Sequence, residues 1–367
     1  MITLTRDTES PPLHIQIATI FRNRILGGEW PAGANIPPEK DLCAEFNVAR
    51  GTIRQALHSL EEAGYLRREQ GRGTFVEMDW QRSIAPNAKI GTGHLAFVVP
   101  YVRDSSVSTI LVGFQQVAQS LDFSVIFHHV NNDFEEQSKV IRRLVRDGID
   151  GVALYPVDSD HALPLDALAE RHIPLVLIDR YLKGRATDYV MTDHFGGAVR
   201  GTDYLISRGH TRVGFVTWAS PAVSMEHRFI GYRRAMEERG LLITPDDVCI
   251  VNGYPAFDLR PLIEFLSRPD RPTAIFAAND QIASAVYRAA SIVGISIPTQ
   301  LSVVGFDNLD LSPHLDPPLT TVAQPFIKIG STAAEILHSR LRGERAGLQQ
   351  ITLSASLVER ESVAVKL

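Results

Sequence analysis

From residue 93 onward, short apolar runs alternate with amphipathic stretches of helical periodicity, and this alternation constrains the fold more than any other feature. The apolar runs have the length of strands and include Leu95–Val99, Ser124–Phe127, Gly151–Tyr155, Leu175–Ile178, Val213–Thr217, Ala274–Ala277 and Ser302–Phe306. Strands that are apolar on both faces and separated by helices are typical of parallel sheets covered by helices. Since residues 93–367 are many for one such sheet, the sequence predicts an α/β domain of two doubly wound lobes.

The first 77 residues show a different pattern. Apolar residues recur at helical spacing in three short segments, and two apolar-ended arms then flank Gly71 and Gly73 like a small β-ribbon with a tight turn. Residues 78–92 have no sustained periodicity and contain Pro86 and Gly91. We therefore predict an α+β domain over residues 1–77, a linker over 78–92, and the two-lobed domain over 93–367.

The second and third helical segments favour a helix-turn-helix that binds DNA. The third would begin near Arg50 with Ile53 and Leu57 facing inward. A recognition helix presents base-reading side chains at its N-terminal end, where arginine can read guanine and glutamine can read adenine. The outward residues there are Arg50, Thr52, Arg54 and Gln55; Lys40 could reach a phosphate, and Arg67, Arg68 and Arg72 make the ribbon basic. The alternative is a helical bundle with an ordinary solvated arginine face.

Residues 10–77 resemble the winged helix-turn-helix domain of the GntR family. Residues 37–42 read Pro-Pro-Glu-Lys-Asp-Leu, and residues 48–57 read Val-Ala-Arg-Gly-Thr-Ile-Arg-Gln-Ala-Leu. The resemblance implies DNA contacts from Lys40, Arg50, Thr52, Arg54 and a wing turn at Gln70 and Gly71, beside Arg72. The sequence departs from the family at Ala49, where serine or threonine usually caps the helix, and at Gly51, where threonine is commoner.

Polar residues follow three of the apolar runs, where doubly wound folds bind their ligands. Asp179, Asn279 and Asp307 occupy these positions. Arg228 begins another helical stretch and could hold neighbouring ligand hydroxyls, and Asp280 is expected to cap the helix that follows it. A donor fork, an amide and acceptor-only carboxylates suit hydroxyl groups, whereas an anion would be repelled by the aspartates.

Residues 93 to about 362 resemble the effector-binding domain of the LacI/GalR family, which is similar to periplasmic sugar-binding proteins. Among the ordered motifs that carry the resemblance are Pro-Leu-Val-Leu-Ile-Asp-Arg at 174–180, Val-Met-Thr-Asp-His-Phe-Gly-Gly-Ala at 190–198, Ala-Asn-Asp-Gln-Ile-Ala at 278–283 and Ser-Val-Val-Gly-Phe-Asp at 302–307. The resemblance implies polyol contacts from Asp179, Arg228, Asn279 and Asp307, with Tyr101 and Ser105 in the loop after the first strand. His194 stands where asparagine is commoner.

A GntR-type domain joined to a LacI-type domain resembles the arabinose-repressor-like regulators. This resemblance implies a homodimer, paired through the C-terminal domain, that binds double-stranded operator DNA and answers to a small effector. We expect a neutral monosaccharide. A purine or nucleoside effector remains open, as does a sugar-binding protein without a regulatory role.

Other features of the sequence exclude several classes of protein. The formal net charge is −5, so any DNA-binding surface must be local. Cys43 and Cys249 fit no metal-ligand spacing, and the serine-hydrolase, zinc-protease and phosphate-loop motifs are missing, so we expect neither an enzyme nor a cofactor or metal. There is no secretory pattern and no apolar run of membrane-spanning length, which favours a cytoplasmic protein without a membrane partner.

Overall fold

The computed structural model describes residues 4, 12–69, 71–78, 80, 92–102, 104–253, 256–344 and 347–366. It shows the predicted fold class, an N-terminal α+β domain followed by two α/β lobes. No helix within these ranges is long and apolar enough to cross a membrane.

Among the described residues, the N-terminal domain, called the head below, has three helices and a two-stranded ribbon. These elements are α1 (Leu13–Leu26), α2 (Glu39–Phe46), α3 (Arg50–Glu62), β1 (Leu66–Glu69) and β2 (Gly73–Val76), with β1 antiparallel to β2. Ile17, Phe21 and Ile53 belong to its buried core. Trp80 is also buried there, with its ring 5.5 Å from the ring of Tyr65, so the packing of the head extends beyond the predicted boundary at residue 77.

The body contains the remaining elements. They are β3 (His94–Val99), α4 (Ser105–Ser120), β4 (Ser124–His129), α5 (Phe134–Asp147), β5 (Gly151–Leu154), α6 (Asp166–Glu170), β6 (Leu175–Ile178), β7 (Asp188–Thr192), α7 (His194–Ser207), β8 (Val213–Trp218), α8 (Val223–Glu238), β9 (Val248–Val251), α9 (Arg260–Ser267), β10 (Ala274–Ala277), α10 (Asp280–Val293), β11 (Ser302–Asp307), β12 (Thr320–Ala323), α11 (Phe326–Leu341), β13 (Gln350–Leu353) and β14 (Ser356–Val358).

The body strands form two six-stranded sheets. The sheet of lobe 1 has the order β13-β7-β6-β5-β3-β4 and is parallel throughout. The sheet of lobe 2 has the order β14-β12-β11-β10-β8-β9 and is parallel except for β14. Parallel order brings the carboxyl ends of the strands to one edge of each sheet, and the side chains discussed below lie at these edges.

Within the described residues the chain passes between the lobes three times, after β7, after β12 and after β13. The helix that follows each of the first two crossovers packs tightly in its new lobe: α7 contacts α8, and α11 contacts α4. A Cβ added at Gly330 of α11 would lie 1.9 Å from the carbonyl oxygen of Ile110 in α4, so glycine is required for this approach. The crossovers are therefore anchored at both ends.

The head lies against lobe 1. The side-chain amide of Asn23 in α1 donates to the backbone carbonyl of Arg171 at 2.8 Å, and a guanidinium nitrogen of Arg22 is 3.9 Å from Asp150. Asp150 also accepts from the backbone N–H of Gly93 at 2.7 Å, where the chain enters lobe 1. A long-range contact of this kind cannot be read from the sequence.

Candidate functional site

The predicted DNA-binding residues lie mainly on one exposed surface of the head. Helix α3 begins at Arg50, as predicted, after Ala49, which provides no side-chain cap. The side chains of Arg50 and Arg54 are 75% and 62% exposed. Lys40 and Gln55 are exposed, Thr52 is half-buried, and Gly71 and Arg72 lie at the turn of the ribbon; Gln70 lies outside the described residues.

Glu39, which sequence reasoning did not select, organises the arginines of this surface. Its carboxylate accepts from Nε of Arg50 at 2.6 Å and from Arg68 of the ribbon at 3.1 Å. The hydrogen bond from Arg50 lowers the pKa of Glu39, so this carboxylate stays ionised. One carboxylate thus connects the recognition helix to the wing, and the surrounding charge remains positive.

The second site is the cleft between the lobes. Its lining brings together most of the predicted effector-binding residues with several others: Tyr101, Asp104, Ser106, Tyr155, Asp179, Arg180, Trp218, Arg228, Asn279, Asp307 and Gln324. The inner cavity holds about 30 Å³, which is room for one or two water molecules. At this inner end the lobes are in contact, because Gln281 of lobe 2 donates to Asp104 at 3.2 Å. A larger cavity of about 380 Å³, which shares Tyr101, Arg180 and Trp218, adjoins it.

Both central carboxylates lie on strained backbone. Asp179 has φ 66° and Asp307 has φ 111°, where non-glycine residues are uncommon. Such backbone conformations persist only where the surrounding structure enforces them, and they are concentrated at binding sites. The Asp179 carboxylate lies just beyond the end of β6 and the Asp307 carboxylate at the last residue of β11, and both strands are buried.

Arg228 and Asp307 form a buried ion pair in the cleft. An Nη atom of Arg228 lies 2.9 Å from Oδ1 of Asp307, and the other Nη donates to the carbonyl of Ala278 at 2.5 Å. Gln324 donates to the same Asp307 oxygen at 2.6 Å. Burial nevertheless raises the pKa of Asp307 to about 7. Because Arg228 is occupied by these partners, a ligand must share or replace the pair.

The pKa of Asp179 shifts in the opposite direction to that of Asp307, because the guanidinium of Arg180 lies against the Asp179 carboxylate. Arg180 lies 3.3 Å from the Asp179 carboxylate and donates to the Tyr155 hydroxyl at 3.1 Å. Burial alone would raise the pKa of Asp179, but the charges of Arg180 and Arg228 lower it. The carboxylate of Asp179 thus stays ionised, whereas that of Asp307 can change its charge near neutral pH.

The helix cap predicted at Asp280 is provided by Asn279 instead. The side-chain oxygen of Asn279 accepts from the backbone N–H of Ile282 at 2.9 Å. Asp280 is fully buried and accepts from the backbone N–H of Leu309 at 2.8 Å and from the hydroxyls of Ser312 and Thr321. A buried carboxylate needs several hydrogen-bond donors. Two of the donors to Asp280, those of Leu309 and Ser312, belong to the loop after β11, so Asp280 holds this loop in place.

The structure separates the two other predicted effector contacts. Tyr101 lines the cleft. The Ser105 hydroxyl instead accepts from the backbone N–H of Asp310 at 3.3 Å, and it is Ser106 that lines the cleft. The sequence did not assign Arg180 and Tyr155 as effector contacts, although Arg180 follows one predicted strand and Tyr155 ends another at the same sheet edge.

Residues 13–76 match the family described as bacterial regulatory proteins, gntR family, and residues 202–363 match the periplasmic binding protein-like domain family. The chain is 28% identical to the arabinose metabolism transcriptional repressor of Geobacillus stearothermophilus over 336 residues, which cover 89% of this chain and 90% of the relative. It is 30% identical to the HTH-type transcriptional repressor PurR of Photobacterium profundum over 331 residues, 88% of this chain and 98% of the relative.

A LacI family transcriptional regulator from Enterococcus faecalis, solved with bound ribose, superposes with a TM-score of 0.65 at 25% identity. The match covers 75% of this chain and all of that structure. The head, the body and their order in the chain therefore all have counterparts among regulators of transcription. The chain belongs to the DNA-binding transcriptional regulators that join a GntR-type winged helix-turn-helix domain to a LacI/GalR-type effector-binding domain.

Proposed function

We propose that this chain represses genes of carbohydrate utilisation and leaves its operator when a neutral monosaccharide enters the cleft. The main observation behind this proposal is the pattern of charges and hydrogen-bond donors in the cleft. Three carboxylates, of Asp104, Asp179 and Asp307, face two guanidinium groups, those of Arg180 and Arg228. Such a site disfavours an anion and suits hydroxyl groups, each of which both donates and accepts.

The relatives support a sugar as effector. One is named for arabinose metabolism, and a structural neighbour holds ribose. The aromatic rings of Tyr101 and Trp218 at the cleft offer apolar faces on which a sugar ring can pack. The inner cavity is too small for a monosaccharide, but a cavity of about 380 Å³ that shares Tyr101, Arg180 and Trp218 with it adjoins it between the lobes.

A thermal-shift screen of the full chain tests the ligand class. L-arabinose and D-ribose form the sugar arm, and hypoxanthine and guanosine form the purine arm. A ligand at 100 times its dissociation constant adds about 2.7 kcal/mol to the free energy of unfolding. A shift with the purines alone would overturn the sugar assignment.

We also propose that the chain acts as a homodimer on an inverted repeat in the bacterial cytoplasm. One recognition helix buries too little surface for high specificity, whereas two heads can read half-sites about one helical turn apart or a multiple of it. Analytical ultracentrifugation on operator DNA should show two chains per duplex. A monomer as the only bound species would contradict this.

A further inference from the structure

His194 lies where the chain first crosses between the lobes. It is the first residue of α7 and is fully buried. Its Nε2 lies 3.2 Å from the backbone carbonyl oxygen of Asp179 in lobe 1. Its Nδ1 lies 3.4 Å from Nε and 3.3 Å from an Nη of Arg228 in lobe 2. One imidazole therefore contacts both lobes.

These partners fix the protonation of the ring. A carbonyl oxygen can only accept, so Nε2 must carry the proton; a guanidinium can only donate, so Nδ1 must offer its lone pair. A neutral imidazole with its proton on Nε2 satisfies both contacts, and a charged one could not accept from Arg228. In agreement, burial and the charge of Arg228 lower the pKa of His194 to about 3.

A side chain of the second crossover contacts Asp307, which is the other member of the ion pair. Gln324, directly after β12, donates to Asp307 at 2.6 Å and accepts from the hydroxyl of Thr192 at 2.6 Å. Thr192 itself ends β7, two residues before His194. Side chains from two crossovers thus contact the ion pair: His194 contacts Arg228, and Gln324 contacts Asp307.

We infer that His194 is a positioning residue that orients Arg228 for the effector and ties this arginine to Asp179 across the lobes. The inference rests on the proposed function, because it takes the cleft as the effector site. A rotation of the lobes at the first crossover must then either carry Arg228 along with Asp179 or break one of the contacts of the ring. The imidazole is what transmits that movement.

Two substitutions separate the two contacts of the ring. In His194→Asn, an oxygen stands as many bonds from Cβ as Nδ1 does, so the acceptor for Arg228 is kept and the contact with Asp179 is lost. In His194→Gln, a nitrogen stands as many bonds from Cβ as Nε2 does, so the donor to Asp179 is kept and the acceptor for Arg228 is lost. Each variant is the matched control of the other.

The test measures solvent exchange of the Arg228 Nε–H by NMR in the ligand-free full chain, with Arg228→Lys identifying the signal. We expect wild type and His194→Asn to exchange at similar rates, and His194→Gln to exchange about tenfold faster, the effect of one lost charge-assisted hydrogen bond. Equal rates in both variants, or the reverse order, would overturn the inference.

The wild-type ring gives a second readout that does not depend on how the variants fold. Long-range ¹H–¹⁵N spectra should show a protonated Nε2 and a bare Nδ1 at His194, unchanged between pH 7.5 and pH 5.5, where ordinary histidines gain charge at about pH 6.5. A ring that titrates in this range would contradict the assignment. Neither measurement uses sugar or DNA. Failure of the proposed function would therefore be detected separately, as the absence of sugar binding or of DNA binding.

Discussion

At the scale of single residues, the two sites should fail independently. Asp307→Ala leaves ligand hydroxyls without an acceptor in the cleft and should cost about 3 kcal/mol of effector affinity. Operator affinity should scarcely change. Arg54→Ala should do the reverse, because this side chain is exposed on the recognition helix. Calorimetry with the sugar that scores in the thermal-shift screen and gel shifts on both variants measure the two effects.

In contrast to that expectation, a normal sugar affinity in Asp307→Ala would mean that the effector binds outside this cleft. His58→Ala is the matched control for the head, since His58 is also exposed on α3 but lies further from its N-terminal end. It should leave operator affinity close to that of the wild type.

The buried carboxylate of Asp280 predicts a pH effect on stability. Burial raises its pKa from 3.8 to about 6. Between these values the folded chain binds more protons than the unfolded chain, so this contribution is fully present below about pH 4 and is lost as pH rises through 6. In urea titrations from pH 4 to 7, the free energy of unfolding of wild type relative to Asp280→Asn should fall by up to about 3 kcal/mol.

The control for this titration is Glu170→Gln, which removes an exposed carboxylate at the end of α6. Its stability should follow the wild-type curve at each pH. Parallel curves for wild type and Asp280→Asn would show that Asp280 does not titrate in this range.

At the scale of elements, the recognition helix α3 lacks a stabilising hydrogen bond at its N-terminus. Helix α3 has Ala49 at its N-cap and no side-chain hydrogen bond there. Ala49→Ser should stabilise the helix by about 1 kcal/mol and slow hydrogen exchange of its amides about fivefold. Ala44→Ser, at an exposed position inside α2, should bring no such gain. Faster exchange in α3 of Ala49→Ser would contradict this account of the cap.

The strands that the sequence predicted include those with apolar side chains on both faces, such as β5 and β10. The threonine-rich strand β12 was not among the predicted runs. In β12, Thr320 and Thr321 are fully buried, and the Thr321 hydroxyl donates to Asp280, a partner 41 residues away in sequence. Polar residues become acceptable in a core through such distant partners, which local patterns do not show.

The same limit applies to the cleft. Asn279 and Asp307 could be placed together because parallel strands of one sheet end at a common edge, and Asp179 lies at the matching edge of the other sheet. Arg228 lies on a helix of the same lobe as Asn279 and Asp307. Gln324 and Asp104 could not be placed in this way, because Gln324 belongs to a crossover and Asp104 caps α4 while accepting from Gln281 of lobe 2 at 3.2 Å. Their roles depend on how the lobes close.

At the scale of the whole molecule, the contact between head and lobe 1 offers a route for coupling. The linker predicted over residues 78–92 lies mostly outside the described residues. Asn23 is buried in this contact and donates to Arg171 at 2.8 Å. We expect effector to change operator affinity by about 1–3 kcal/mol in the wild type. Asn23→Ala should reduce this coupling by about 1 kcal/mol, the net worth of one hydrogen bond.

The coupling is measured as operator affinity with and without saturating effector. Glu62→Gln, an exposed change at the end of α3, is the control and should keep the wild-type coupling. An unchanged coupling in Asn23→Ala would show that the head responds to the body by another route.

The most direct test of the account is a titration of labelled operator DNA, taken from upstream of the chain's own gene, with and without sugar. Fluorescence anisotropy should show tight binding by the dimer and a loss of affinity of about 5- to 150-fold with the sugar that scores in the thermal-shift screen. Arg54→Ala should not bind, and Asp307→Ala should bind but ignore the sugar. Operator binding that the sugar leaves unchanged in the wild type would contradict the central claim.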